Sequence, residues 1–223
     1  MIIGISGKMG SGKDTVGNII QALMNGQKPE DIVYKLEKTG ECYVNPHETE
    51  WETKKYAAKL KQIVSLITGA TMKELEDQEF KHTPMGKQWQ TGWRERMNQP
   101  MTPRLMLQLI GTEGGRDLIH PNIWVLALMA DYKEDSKWIV TDMRFPNEMD
   151  AVKSAKGITI RVTRGDGNTG THASETALDN GRFDYEIDNN ASYEILVKQV
   201  VDILNNEELW KSSETKKETK VTN

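Results

Sequence analysis

Met1-Ile2-Ile3-Gly4-Ile5-Ser6-Gly7-Lys8-Met9-Gly10-Ser11-Gly12-Lys13-Asp14-Thr15 runs from an apolar segment through a glycine-rich one into a helical pattern. That order predicts a buried strand, a phosphate-binding loop and a helix. Glycines at 7, 10 and 12 let the backbone curl and bring its N–H groups against phosphate oxygens, where a Cβ would obstruct them. Lys13 is spaced to bridge the outer two phosphates of a nucleoside triphosphate, and the N-terminus of the next helix adds partial positive charge beneath them. Gly7, Lys8, Met9, Gly10, Ser11, Gly12, Lys13, Asp14 and Thr15 are therefore candidate nucleotide-binding residues. The spacing G-x-x-x-x-G-K is met, with Asp14 where a hydroxyl residue usually follows the lysine, and Thr15 one place later. Either side chain can serve a magnesium ion, and the sequence leaves open which. A glycine-rich turn that binds nothing is the plainer reading; the strand before, the helix after and the lysine in register argue against it.

At 223 residues the chain suits one domain with room for an inserted lid or arm. Lys+Arg 29 against Asp+Glu 33 leaves a formal net charge of -4, so the surface as a whole does not advertise a nucleic-acid binder and no nucleic-acid polymer is expected as partner. A local basic pocket is still compatible with it. Cys42 is the only cysteine, so an internal disulfide and a cysteine-ligated zinc knuckle are excluded and a reducing compartment is expected. The apolar run Ile123 to Ala130 is too short to cross a bilayer. A soluble, cytoplasmic protein with no membrane partner is the expectation.

Apolar residues recur at helical spacing in Val16, Ile19, Ile20 and Leu23, with a stop near Asn25-Gly26. Residues 27–53 mix charge with Gly and Pro, and only a short strand around Cys42 to Val44 is expected there. A short strand through Tyr56 and Ala57 then leads into a helix that turns Leu60, Ile63, Val64 and Ile67 inward until Gly69. Thr71-Met72-Lys73-Glu74 has the form of a capping box opening a third helix. Residues 81–101 are polar and basic around Trp89 and Trp93 with no period, which reads as a mobile substrate-binding segment. Thr102-Pro103 starts a helix with Leu105, Met106, Leu109 and Ile110 inward until Gly111, and Asn122 to Tyr132 reads as a largely buried helix.

Trp138 to Thr141 is a continuous apolar strand ending at Asp142, followed by a helix from Asn147 to Ala155 and a strand from Ile158 to Val162. Residues 164–181 form a polar, lid-like loop; Tyr185 to Ile187 is a last strand, and Ser192 caps a final helix with Leu196, Val200, Ile203 and Leu204 inward. Residues 211–223 carry too few apolar residues for a core and read as a disordered tail, leaving 1–210 as one domain. Strands alternating with helices predict a three-layer α/β/α sandwich with a parallel sheet, of the P-loop NTPase type, whose ligand sites lie at the C-terminal strand ends.

Several side chains could act at those ends. Asp142 can hold a metal-bound water or accept from a substrate, and Arg144 can clamp a phosphate through two parallel N–H bonds. The plainer reading is a turn cap and a solvated arginine. Arg104 puts positive charge at a helix start, where the dipole opposes it, and an acceptor phosphate would account for that. Arg116 follows Gly114-Gly115, and Gln108 lies one turn beyond Arg104, where it can bond a base or sugar. Arg164 opens the late loop, and Thr171-His172-Ala173-Ser174-Glu175 lies within it; closure of such a loop expels water and brings an arginine to the transferred group. The four histidines show no metal-ligand spacing.

Taken together, these pieces resemble the deoxynucleoside monophosphate kinases of tailed bacteriophages, a branch of the P-loop nucleoside monophosphate kinases. The likeness rests on Gly12-Lys13-Asp14-Thr15, on Tyr56-Ala57-Ala58-Lys59-Leu60-Lys61, and on Arg104-Leu105-Met106-Leu107-Gln108 with Leu109-Ile110-Gly111-Thr112. It continues through Asn122-Ile123-Trp124-Val125, Asp142-Met143-Arg144-Phe145-Pro146-Asn147-Glu148, Thr171-His172 with Glu175, and Asp184-Tyr185-Glu186-Ile187-Asp188-Asn189. The resemblance implies Mg2+-dependent transfer of the ATP γ-phosphoryl group to a deoxynucleoside 5′-monophosphate by a homodimer. Catalytic roles then fall to Lys13, Arg104, Asp142, Arg144 and Arg164, and acceptor contacts to Lys61, Arg104, Gln108, Arg116, Asp142, Arg144, His172 and Glu175. Asp14, Thr15 and Asp142 are the metal candidates. A dephospho-coenzyme A kinase differs only in its acceptor, and a non-catalytic nucleotide-binding module is the other competing reading. No Asn-Lys-x-Asp guanine-reading motif occurs.

Overall fold

The computed structural model describes residues 1–93, 97–165 and 176–210. The run Ile2–Ser6 forms β1, buried along its whole length, as its unbroken apolar character requires. It is the middle strand of five, all parallel. In order across the sheet these are β2 (Trp51–Lys54), β3 (Lys137–Met143), β1, β4 (Ile158–Thr163) and β5 (Tyr185–Asp188).

The chain forms two compact units. The first comprises Met1–Lys55 and the described residues of Lys133–Asn223; the second is Tyr56–Tyr132. In the first unit α1 (Lys13–Met24) places Val16, Ile19, Ile20 and Leu23 on Ile3 and Ile5 of β1, each fully or almost fully buried. At roughly 1.5–3 kcal/mol per fully buried aliphatic side chain, that stripe alone fixes the helix on the sheet. α2 (Pro29–Thr39) joins the same face with Ile32 and Leu36, as does the C-terminal helix α9 (Tyr193–Asn206) with Leu196, Val197, Val200, Ile203 and Leu204. α8 (Pro146–Ser154) covers the other face, where a Cβ added to Gly4 would lie 2.9 Å from Val152. Helices on both faces of a parallel sheet give the predicted α/β sandwich.

Residues 27–53 depart from expectation. No strand forms at Cys42 to Val44; both are buried as irregular backbone, and the helix α2 precedes them, started by Pro29 and stopped by Gly40 in the left-handed region. Burial pushes the Cys42 thiol up to about 11, with Lys35 opposing, so this cysteine acts as a small apolar core residue. The strand expected through Tyr56 and Ala57 lies a few residues earlier, at Trp51–Lys54.

The second unit is helical. α3 (Ala57–Thr68) ends at Gly69 as expected, but of its predicted inward stripe only Val64 is fully buried, while Ile63, Ile67 and the neighbouring Leu66 are exposed. The capping box at Thr71 and Glu74 is made: the Glu74 N–H donates to Thr71 Oγ1 at 3.2 Å and Glu74 Oε2 accepts from the Thr71 N–H at 2.7 Å. It closes a turn only. The helix that follows, α4 (Gln78–His82), is capped by Asp77 instead.

The described residues of 81–101, a segment with no period in its sequence, hold the end of α4 and the whole of α5 (Lys87–Gln90). Met85, Trp89, Trp93 and Met101 pack on Val64, Leu75 and Met106. Gln90 clamps the segment, donating from Nε2 to the Met85 and Met101 carbonyls at 2.8 and 2.9 Å and accepting at Oε1 from the Met101 N–H at 2.9 Å. The segment has no period because its apolar residues meet as a tertiary cluster and share no helix face.

α6 (Pro103–Gln108) starts at Thr102, whose hydroxyl accepts from the Leu105 N–H at 3.1 Å. Gly111 does not end it. The helix widens into a π-helix over Leu109–Ile119 before α7 (Ile123–Met129). Among the described residues no helix is long and apolar enough to cross a membrane.

Candidate active site

The glycine-rich turn lies between the C-terminal end of β1 and the start of α1. Gly10 and Gly12 have φ of +81° and +89°, a region costly for any residue with a Cβ. Gly7 has no such angle but no room either: an added Cβ would sit 2.4 Å from Ser11 Oγ and 2.7 Å from the Val162 carbonyl. A Cβ on Gly12 would sit 2.3 Å from Nδ2 of Asn189, which donates to the Ser11 carbonyl at 2.9 Å and is itself buried. Asn189, just beyond β5, thus holds the loop from behind. The Ser11 hydroxyl is buried with no hydrogen-bond partner among the described residues. A tight backbone cradle with an orphaned hydroxyl and a lysine at the helix start fits a phosphate chain, the group the sequence predicts there.

Asp14, in the first turn of α1, is where the usual hydroxyl is missing. Its Oδ1 accepts from the Thr141 hydroxyl at 2.8 Å and lies 3.2 Å from the Lys55 ammonium; Oδ2 lies 4.0 Å from Lys13. Burial works to raise its pKa, but Lys55, the Thr141 hydrogen bond and Lys13 outweigh it and hold the carboxyl below its ordinary range. Asp14 is therefore an anion neutralised by protein cations, and a direct metal bond at Oδ1 would compete with Lys55. Lys55, at the end of β2, and Thr141 were not predicted by sequence reasoning. No local spacing signals either, because β3 lies between β2 and β1 and only the strand order brings them to the loop.

The strand carrying Asp142 is bulged. Gly4 pairs with Val140 and Ser6 with Met143, so β3 uses Thr141 and Asp142 where β1 uses Ile5 alone. The extra residue breaks the alternation of faces. Thr141 points to α1, within 2.6 Å of where a Cβ on Gly17 would be, whereas Met143 lies beside Gly4 on the α8 face. Asp142 is half-buried at this bulge, at the C-terminal edge of the sheet.

Arg144 follows directly. Its N–H and that of Phe145 donate to Glu148 Oε2 at 2.7 and 3.1 Å, so the buried Glu148 caps α8 and fixes the backbone that presents the guanidinium. Arg144 lines one crevice with Gly7, Lys8, Arg161 and Asp179. Asp179 also ties the loop to its surroundings, 3.1 Å from Arg161 and 4.0 Å from Lys8. Arg161, stacked on Phe183, is a third cation of this crevice, beside Lys8 and Arg144, and one that sequence reasoning missed. Arg164 is exposed just past the end of β4, the neighbour of β1. His172 and Glu175, with most of the 164–181 loop and the 211–223 tail, lie outside the described residues.

The remaining candidates belong to the helical unit. Arg104 is exposed in the first turn of α6, and Gln108 ends the same helix. Arg116 lies on the π-helix. Lys61, on α3, pairs with Glu76 at 2.5 Å. Among the described residues no group of three or more His, Cys, Asp or Glu is arranged to hold a metal ion. A magnesium ion here would then rely on phosphate oxygens with one or two carboxylates, the usual manner of magnesium at nucleotides.

Residues 46–200, well over half of the chain, match the family of deoxynucleotide monophosphate kinases. A deoxynucleoside-5′-monophosphate kinase of Escherichia phage T5 is 48% identical over 50 residues, 22% of this chain and 20% of that protein. A protein of Acanthamoeba polyphaga mimivirus, provisionally named a deoxynucleotide monophosphate kinase, is 30% identical over 120 residues, 47% of this chain and 62% of that protein. The chain thus spans about a fifth and about three fifths of the lengths of these two relatives. The family match begins beyond the phosphate loop, so the loop rests on its own geometry.

Proposed function

The chain belongs to the deoxynucleotide monophosphate kinase family, and from that premise we propose that it transfers the γ-phosphoryl group of ATP to a deoxynucleoside 5′-monophosphate, releasing ADP and the deoxynucleoside diphosphate. The observation that carries the reading is the loop at Gly7–Lys13, whose glycines tolerate no Cβ and whose lysine starts α1. An acceptor phosphate oxygen attacks the γ-phosphorus in line; the bond to the bridging oxygen of ADP breaks as the new P–O bond forms.

Repulsion between two anionic nucleotides is the main barrier, so cation placement and alignment supply most of the rate. Lys13 takes the β- and γ-phosphates of the donor, and Arg144, beside Gly7 and Lys8, stabilises the charge of the transferring group. Arg164 enters from the end of β4 in the same role. Lys61, Arg104, Gln108 and Arg116 receive the acceptor, with His172 and Glu175 contributing from the late loop. Asp142, Asp14 and Thr15 would hold Mg2+, which would supply positive charge to offset that of the donor phosphates.

The test is a panel of deoxy- and ribonucleoside monophosphates, with dephospho-coenzyme A alongside, incubated with ATP and Mg2+ and read by chromatography. Diphosphate should form from at least one deoxynucleotide. Lys13→Ala should lower turnover by at least about a hundredfold, the scale of losing one preorganised electrostatic contact. Phosphorylation of dephospho-coenzyme A alone, or near-normal turnover in Lys13→Ala, would refute the assignment.

A further inference from the structure

Lys81 is a buried residue whose ammonium, still reached by water, has no protein partner among the described residues. The residue is 7% exposed in α4, and among the described residues its Nζ makes neither a hydrogen bond nor an ion pair. The acids beside it are already engaged. Glu76 pairs with Lys61, and Asp77 turns Oδ1 onto the Phe80 N–H at 2.7 Å to cap α4.

α3 and α4 both pack against α6, which brings Lys61, Lys81 and Arg104 within electrostatic reach of one another. Burial, then Lys61 and Arg104, depress the Lys81 pKa, while Glu76 and Asp77 act the other way without restoring it. Among the described residues, three cations therefore meet two carboxylates that are both occupied. Like charges held near one another repel, and burial of the Lys81 stem keeps its head among them. The arrangement is under-satisfied by the protein alone, and a multiply charged anion completes it.

We propose that Lys81 is a further acceptor-binding residue, and that with Arg104 and Lys61 it holds the 5′-phosphate of the nucleoside monophosphate. This rests on the kinase reading above. A phosphate monoester supplies close to two negative charges and three outward oxygens, one for each cation. Arg104 offers a planar fork and Lys81 a compact point charge, so the pair fixes both the orientation and the position of the group. The competing account is a lysine whose stem packs beside Phe80 on the local apolar cluster while its head reaches water.

The full chain carrying Lys81→Gln, and a second carrying Lys81→Arg, decide between them. The readouts are titration with the deoxynucleotide that wild type phosphorylates, binding of a non-hydrolysable ATP analogue, and melting temperature with and without ligand. Lys81→Gln should raise the acceptor Kd and KM at least tenfold and leave the ATP-analogue Kd unchanged. It should melt no lower than wild type without ligand and lose the rise on adding acceptor, and Lys81→Arg should recover most of the affinity. Wild-type acceptor affinity in Lys81→Gln overturns the proposal, as does a lower melting temperature with both nucleotides weakened together. If wild type phosphorylates no deoxynucleotide, the kinase reading fails separately and inorganic phosphate becomes the probe. A phosphate-dependent rise in melting temperature that Lys81→Gln abolishes supports an anion site at Lys81; no such rise in wild type overturns it.

Discussion

Asp14 shows how one substitution in a phosphate loop redistributes charge around it. A serine or threonine there would bring a neutral hydroxyl; the carboxylate brings a negative charge beside the phosphates and recruits Lys55 and the Thr141 hydroxyl to offset it. Its folded-state pKa lies below the unfolded value, so its contribution to stability is present above the ordinary carboxyl pKa of 3.8 and disappears as pH falls through the lowered value. Asp14→Asn should therefore be less stable than wild type at neutral pH, and urea-unfolding midpoints of the two should converge below about pH 3.8. A gap that stays constant with pH would mean that the Lys55 pair contributes nothing. The loop, Asp142 and Arg144 were legible in the sequence because local spacing encodes them. Lys55, Thr141, Arg161 and Asn189 were not, since their roles come from strand order: β2, β3, β4 and β5 bring them to the loop from 40 or more residues away in the chain, an arrangement no local pattern specifies.

Among the elements, the π-helix at Leu109–Ile119 is one that sequence reasoning read wrongly. Gly111 looked like a helix terminator, yet it is a packing position: its carbonyl accepts from the Trp124 indole at 2.7 Å, and a Cβ there would meet Leu60 at 2.8 Å. Gly115 is similar, with the Trp124 ring 2.9 Å and the Ile110 carbonyl 2.7 Å from an added Cβ. Wide turns of this kind commonly mark functional positions, and Arg116 sits on this one. Gly115→Ala gains roughly 0.5–1 kcal/mol of backbone entropy but incurs overpacking of about 1–3 kcal/mol, so it should destabilise the protein. Gly114→Ala, whose added Cβ meets only the Leu109 carbonyl at 3.3 Å, should be close to neutral by denaturant unfolding. Equal effects would mean that Trp124 does not hold this helix. Elements with a complete apolar stripe against the sheet, α1 and α9, were legible within a residue or two. α2 and α5 were not, because their few buried residues fall short of a recognisable period.

Across the whole molecule, apolar burial is distributed unequally. The sheet unit gathers β1, β3 and β4 with α1, α2 and α9 into one large cluster, whereas a cluster of the helical unit has Val64, Leu75, Met101 and Met106 as its buried residues. Local opening free energy follows the apolar contacts that opening must break, so the two units should not exchange amide hydrogens alike. Amides of β1, β3 and β4 should be the slowest in the chain, and those of α3 and α6 should exchange well before them. Ligands then report where they bind. A ligand at a hundred times its Kd lowers the population of open forms that cannot bind it by about 2.7 kcal/mol, roughly a hundredfold in exchange rate. On the proposed function, an ATP analogue should slow exchange around Gly7–Leu23, and a deoxynucleoside monophosphate should slow α3, α4 and α6 with little effect on the loop. Protection of the phosphate loop alone by both nucleotides would leave Lys61, Lys81 and Arg104 without an acceptor to hold, and would contradict the assignment of acceptor binding to the helical unit.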